Sequence, residues 1–314
     1  MSKIIVKPLS DDLSFGARIS GVTMDNVADA DVGEEINATF WDRGMIVFED
    51  MEPSNTMQVA LSKVFGELED HAIGEEMPLA DDDVRGMTDF DYLDIFDIGG
   101  EEISGWVTWH IDACYADKLN RGGILRALVI SPEGGRTGFA DGIQLYNAID
   151  PGLRDRFETL NIIYHSHLMF TALKFGRPEG FRAIKIRQMM VDMIEHAKAS
   201  PRAIHPAVWT RKTGEKVLHA APWQASGIEG MEGPGGDALL EELFAEMEAK
   251  MLPYWHTWKP TDMAIWDNWR FLHSASGNPA KHHRRMQRTT ISGDYGMGRW
   301  EDPDNKLEAI AVDV

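Results

Sequence analysis

Two rhythms run through the apolar positions of the chain. Met57, Ala60, Leu61, Val64 and Phe65 recur at helical spacing behind Ser54, which predicts a helix with Ser54 as its N-cap. Asp150-Pro151 offers a second cap and a first-turn proline, opening a helix to about Leu160. Residues 183–198 and 237–251 also read as helices, the latter with Leu240, Leu243, Phe244, Met247 and Met251 on one side. Short apolar runs at 45–48, 124–130, 161–165, 217–220, 263–266 and 288–292 read as strands. Short strands divided by turns, with helices packed outside, predict an α+β protein around a β-sandwich or jelly roll.

No repeat, low-complexity tract or Pro/Ser-rich linker divides the chain, so one domain over residues 1–314 with long insertions is expected. The acidic segment 74–102, with Asp81-Asp82-Asp83 and Glu101-Glu102, reads as a mobile loop and a candidate lid. A Gly-rich patch from Gly227 to Gly236 divides a strand-like stretch from a helix. Charge narrows the partners. With Lys+Arg 31 against Asp+Glu 51, the net charge of -20 disfavours phosphate backbones and anionic lipid, so neither nucleic acid nor membrane is expected as a partner. Cys114, the single cysteine, leaves no internal disulfide framework and no multi-Cys metal site. The opening Met1-Ser2-Lys3-Ile4-Ile5-Val6-Lys7 lacks a signal peptide's apolar stretch, and a cytoplasmic protein is expected. A homo-oligomer is compatible with all of this.

Three short motifs carry chemistry. In Trp109-His110-Ile111-Asp112, residues i and i+2 of a strand point the same way, so an imidazole and a carboxylate can meet one ion. That pair suits Fe(II), with a third position left for a distant histidine. Taken alone, H-x-D is common by chance. A second piece runs from the apolar Ala264-Ile265-Trp266 through Asp267-Asn268 to His273, followed eleven residues later by Arg284 and four beyond that by Arg288. A guanidinium reads a carboxylate in a bidentate fork and stays charged at any working pH. A purely solvated basic patch is the simpler account of those arginines, but it fits poorly in so acidic a chain. The third piece is Gly134-Gly135-Arg136-Thr137, a tight turn before a strand with a hydroxyl available to an anionic ligand. It lacks the pattern of a phosphate-binding loop.

H-x-D, G-G-x-T, W-D-N and the spaced histidine and arginines, in this order, resemble the taurine dioxygenase and 2,4-dichlorophenoxyacetate dioxygenase family of Fe(II)/2-oxoglutarate-dependent oxygenases. The resemblance runs from Met45-Ile46-Val47-Phe48 to Ile291-Ser292-Gly293-Asp294. It implies a double-stranded β-helix (jelly-roll) core with flanking helices and long insertions. It implies His110, Asp112 and His273 as the Fe(II) ligands, with Arg284 and Thr137 on the distal carboxylate of 2-oxoglutarate and O2 as the oxidant. It also implies Arg288 and His71 as contacts to a small acidic substrate. Two departures stand out: Trp269 follows Asn268 where the family commonly has arginine, and Arg136 replaces an acid in G-G-D-T. The run G-G-R-T-x-F-A-D is similar to a subgroup acting on aryloxyalkanoates, including phenoxypropionate herbicides, which implies ether cleavage to a phenol and an oxo acid with release of succinate and CO2. An alkylsulfonate or sulfate-ester dioxygenase and a natural-product hydroxylase are the alternatives within the family. A zinc hydrolase or a silent jelly-roll binding protein are the readings from other classes. The first has no use for the two arginines, and the second has none for an intact triad.

Overall fold

The computed structural model describes residues 4–70 and 86–304. Numbered along the chain, its strands form two large sheets. One runs β1 (Ile5–Pro8), β2 (Ala17–Ser20), β3 (Met45–Phe48), β16 (Met263–Trp266), β7 (Gly122–Val129), β18 (Arg285–Ile291) and β4 (Met87–Asp91). The other runs β10 (Arg182–Lys185), β5 (Ile95–Ile98), β6 (Glu101–His110), β17 (Phe271–Pro279), β8 (Thr137–Asp141) and β15 (Tyr254–His256). Most neighbouring strands are antiparallel; β2 and β3 are parallel. The sheets face each other as a jelly roll across Met45, Val47, Leu125, Phe139, Trp266, Phe271 and Met286.

The opposite faces of the same strands explain why they read as unbroken apolar runs. Ile46, Phe48, Ile124, Met263 and Ile265 point away from the inter-sheet core. They pack on Ile36 and Phe40 of α1 (Ala30–Arg43) and on Met57 and Leu61 of α2 (Asn55–Lys63). A strand buried on both faces needs no polar alternation. Ser54 accepts from the Met57 amide as the expected cap. Asp150 likewise accepts from the Leu153 amide, and the helix it opens, α4 (Pro151–Phe157), follows α3 (Gly142–Ala148).

Beyond the roll lie a small sheet of β14 (Ala225–Ile228), β9 (Asn161–Tyr164), β11 (Ala203–Pro206) and β19 (Arg299–Trp300), and a hairpin of β12 (Val208–Thr210) and β13 (Lys216–Leu218). Leu240, Leu243 and Met247 of α6 (Pro234–Lys250) cover this region. Among the described residues no helix is long and apolar enough to cross a membrane.

Three expectations need correction. Residues 183–198 are not one helix, since Arg182–Lys185 is the exposed edge strand β10 and α5 (Gln188–Ala197) starts only after Arg187. There the Arg187 amide and guanidinium close on Asp94 at 2.6–3.0 Å, which fixes the break. The helix expected from residue 237 begins at Pro234, inside the Gly-rich patch. Of the expected loop at 74–102, residues 74–85 lie outside the described residues, and the remainder is β4, β5 and the start of β6. Three of its acids are paired rather than solvated: Asp89 meets Arg285 at 2.5 Å, Asp91 meets His283 at 2.7 Å and Asp97 meets Arg182 at 2.7 Å, while Glu101 and Glu102 are exposed as expected.

His205 and His219 are buried beside Trp269, whose ring stacks on His219 at 4.8 Å between centroids. Burial pushes His205 down to about 4 and His219 down to about 3, from an ordinary 6.5. Both stay neutral in the fold while the unfolded chain takes up protons. Stability is therefore fully present above pH 6.5 and declines as the pH falls toward about 4 and then about 3. Urea midpoints measured from pH 7 to 4 should fall, and fall less for His219→Phe, which keeps a ring against Trp269. An unchanged pH slope in that variant would remove His219 from the account.

Candidate metal centre

Strand pairing builds the triad. His110 ends β6 and stands directly opposite His273 of β17 in the antiparallel register, bringing the imidazole centroids to 3.9 Å. Asp112 follows two residues later, with Oδ1 3.5 Å from Nε2 of each histidine. The ligand atoms of His110, Asp112 and His273 all lie within 4.8 Å of one another, and this is the only such group of three among the described residues. His110 Nδ1 is 2.8 Å from the Thr108 carbonyl, to which its N–H donates, so Nε2 keeps the lone pair a metal needs. The turn carrying Asp112 is clamped by Asn268. Its Oδ1 accepts from the Asp112 amide at 3.0 Å, and its Nδ2 donates to the Asp112 carbonyl at 3.0 Å and to Asn120 Oδ1 at 2.8 Å.

Burial works against the Asp112 carboxylate, but Arg288, His273 and His110 outweigh it and hold its pKa well below the usual range. Burial, helped by His110, pushes His273 well below its ordinary value. The carboxylate of Asp112, the neutral imidazole of His273 and the Nε2 of His110 form the donor set that suits Fe(II).

Two buried guanidiniums flank the triad. Arg288, 3% exposed, ion-pairs with Asp112 through Nη1, while its Nε and Nη2 have no hydrogen-bond partner. It lies across β7 only because that strand has glycine below it. A Cβ at Gly123 would stand 2.3 Å from Arg288 Nε and 2.7 Å from the Thr289 carbonyl. Arg284, 2% exposed, has Nη2 3.4 Å from Thr137 Oγ1, Nη1 without a partner, and the Tyr92 ring 4.8 Å from its Cζ. A positive φ at Gly135 brings the G-G turn against the Arg284 stem, where a Cβ would meet Cδ at 3.1 Å. A buried guanidinium without a carboxylate partner is costly unless an anion completes it. Arg284 is thus built to receive one.

One cavity holds the triad, Thr137, Arg284 and Arg288, and continues into a wall of Phe96, Trp106, Phe170 and Trp223 with Met189, Met190 and Met193. The Phe96 and Phe170 rings stack at 6.1 Å, and Trp223 sits 4.9 Å from the His110 ring. Six of the seven residues singled out in the sequence are thereby brought together; His71 lies outside the described residues. The sequence reading missed Tyr92, Trp258 and the aromatic wall, which no local motif marks. The glycine pair at 122–123, inside an apolar run, was the readable sign of a side chain crossing the strand. Cys114 packs at 0% exposure against Trp223 and Gln224. His165 and His167 meet through their Nδ1 atoms, and among the described residues no third ligand joins them. Where the family's arginine was expected, Trp269 is buried and its carbonyl accepts from the Trp209 indole at 2.9 Å. Arg270 instead forks onto Asp141 at 2.9 and 2.8 Å.

The sequence pattern of the family described as "Taurine catabolism dioxygenase TauD, TfdA family" matches residues 5–290. An (S)-phenoxypropionate/alpha-ketoglutarate-dioxygenase of Sphingobium herbicidovorans is 29% identical over 290 residues, covering 90% of this chain and 93% of the relative. The alpha-ketoglutarate-dependent 2,4-dichlorophenoxyacetate dioxygenase of Cupriavidus pinatubonensis is 24% identical over 300 residues, covering 89% and 95%. Among solved structures, AAD-2 in complex with Mn(II) and N-oxalylglycine superposes with a TM-score of 0.71 at 22% identity, covering 94% of this chain and 100% of that one.

Proposed function

The chain belongs to the taurine catabolism dioxygenase TauD, TfdA family and is an Fe(II)- and 2-oxoglutarate-dependent dioxygenase, and we propose that its substrate is an aryloxyalkanoate cleaved at the ether bond. One observation carries the substrate class. One cavity joins the triad to a buried guanidinium with two unpartnered nitrogens and to an aromatic, methionine-lined wall. An aryl ether acid has those two ends.

His110, Asp112 and His273 hold Fe(II). Arg284 takes the distal carboxylate of 2-oxoglutarate through its free Nη1, with Thr137 beside it. When bound, Fe(II), 2-oxoglutarate and O2 supply oxidation of a C–H bond, with succinate and CO2 as the coproducts. The chain's own part is to aim the substrate and keep water out. Arg288 receives the substrate carboxylate through Nε and Nη2 while Nη1 stays on Asp112, which places the acid end beside the triad. Phe96, Trp106, Phe170 and Trp223 seat the ring, and the methionines adapt to its outline. A hydroxyl placed on the carbon bearing the ether oxygen makes a hemiacetal-type product. That product falls apart to a phenol and an oxo acid without any protein nucleophile.

Product release should be measured as phenol from phenoxyacetate and both enantiomers of 2-phenoxypropionate, as sulfite from an alkylsulfonate and as sulfate from an alkyl sulfate, each with and without 2-oxoglutarate. Turnover of the aryl ethers that requires 2-oxoglutarate is expected; preference for the sulfur compounds would overturn the substrate class. Arg288→Ala should raise KM for the preferred acid about 10- to 100-fold, the worth of hydrogen bonds to a charged group. Its 2-oxoglutarate affinity should change far less. Equal losses in both would take Arg288 out of the substrate role.

A further inference from the structure

Thr137 stands at the start of β8, 3% exposed, with two donors aimed at its hydroxyl oxygen. The Trp258 indole Nε1 donates to Oγ1 at 3.0 Å, and Arg284 Nη2 lies at 3.4 Å. A hydroxyl has two lone pairs to receive with and one proton to give. With both lone pairs facing donors, Thr137 can meet a further group only by donating, and among the described residues no acceptor takes that proton. The indole contact is the shorter one. It is also irreversible in sense, because an indole N–H can donate but never accept.

Trp258 is itself firmly seated. It is 6% exposed in the inter-sheet core and meets the His256 ring edge-on at 4.5 Å, with 89° between planes. His256 pairs in register with Thr137 across β15 and β8, and its Nε2 lies 3.2 Å from Oδ2 of the equally buried Asp262. Trp258 follows the end of β15 by two residues, so the pairing of His256 with Thr137 brings the indole within reach of the threonine.

We propose that Trp258 is a positioning residue for the cosubstrate: its indole N–H fixes the Thr137 hydroxyl as a donor to the distal carboxylate of 2-oxoglutarate. The carboxylate then receives the free arm of Arg284 and an oriented O–H together. This rests on the assignment of Thr137 and Arg284 made above, and it adds a residue that touches neither cosubstrate nor metal.

The test is 2-oxoglutarate binding to the Mn(II)-loaded protein, followed by calorimetry so that turnover plays no part. Wild type, Trp258→Phe, Thr137→Val and the double variant are compared. Thr137→Val should weaken binding about 10- to 100-fold, the worth of a hydrogen bond to a charged group, and Trp258→Phe about three- to tenfold, as for one neutral hydrogen bond; the double variant should bind no more weakly than Thr137→Val. Additive losses would mean that Trp258 acts through packing and would overturn the proposal. So would an unchanged affinity in Trp258→Phe when Thr137→Val is weakened, leaving the Thr137 assignment standing. An unchanged affinity in Thr137→Val would instead remove that assignment and the proposal with it. A second measurement leaves Trp258 intact: Thr137→Val should shift one indole N–H resonance and speed its exchange. If every indole resonance stays in place, the hydrogen bond does not exist in solution.

Discussion

Arg284→Ala should bind 2-oxoglutarate about a hundredfold more weakly, because deleting one partner of a buried ion pair costs about 3 kcal/mol or more. The guanidinium is 2% exposed, and Nη1 has no protein partner, so a bound carboxylate is the counter-charge it is left to meet. Arg284→Lys should recover only part of the loss, since an ammonium supplies the charge without the fork. The effect should appear in equilibrium binding to the metal-loaded protein as well as in KM. Metal affinity measured without 2-oxoglutarate should hardly change. An Arg284→Ala protein with wild-type cosubstrate affinity would place the distal carboxylate elsewhere.

The second large effect belongs to Asp112. Asp112→Ala removes the one anionic ligand of the triad, and activity with added Fe(II) should fall below detection. It should also destabilise the metal-free protein, an effect that a surface metal ligand would not have. Arg288, paired to Asp112 and 3% exposed, would be left as a buried charge without its partner. The cost should be about 3 kcal/mol, read as a lower urea midpoint. Asp112→Ala combined with Arg288→Met should regain much of that stability and none of the activity. If the single variant is as stable as wild type without metal, the ion pair carries no weight in the fold.

Much of this was readable before any coordinates, for reasons that differ between elements. The strands at 45–48 and 263–266 match residue for residue because each is buried on both faces and leaves no other option for so apolar a run. The Ser54 and Asp150 caps are local contacts, made with amides three residues away. Failures arose where the deciding partner is distant. Asp89 and Asp91 look like a solvated face until Arg285 and His283 arrive nearly two hundred residues later. The false helix over 183–198 breaks at Arg187, and its reason, Asp94, lies 93 residues away in sequence. In the site, His110, Asp112 and His273 were legible as a combination of motifs. Asn268 was visible in W-D-N without its clamping role, and Trp258 and Tyr92 were single letters with nothing beside them to single them out.

The cavity divides its labour along the chain. The metal ligands and arginines sit on or beside β6, β17 and β18, strands locked by register on both sides. Much of the cavity wall proposed to seat the substrate comes from 169–193, the stretch between β9 and β11 that carries Phe170, Met189, Met190 and Met193. Mutations there can reshape what is oxidised without disturbing the machinery of oxidation. A lineage can thus explore new substrates by drift in one connector while its chemistry stays inherited.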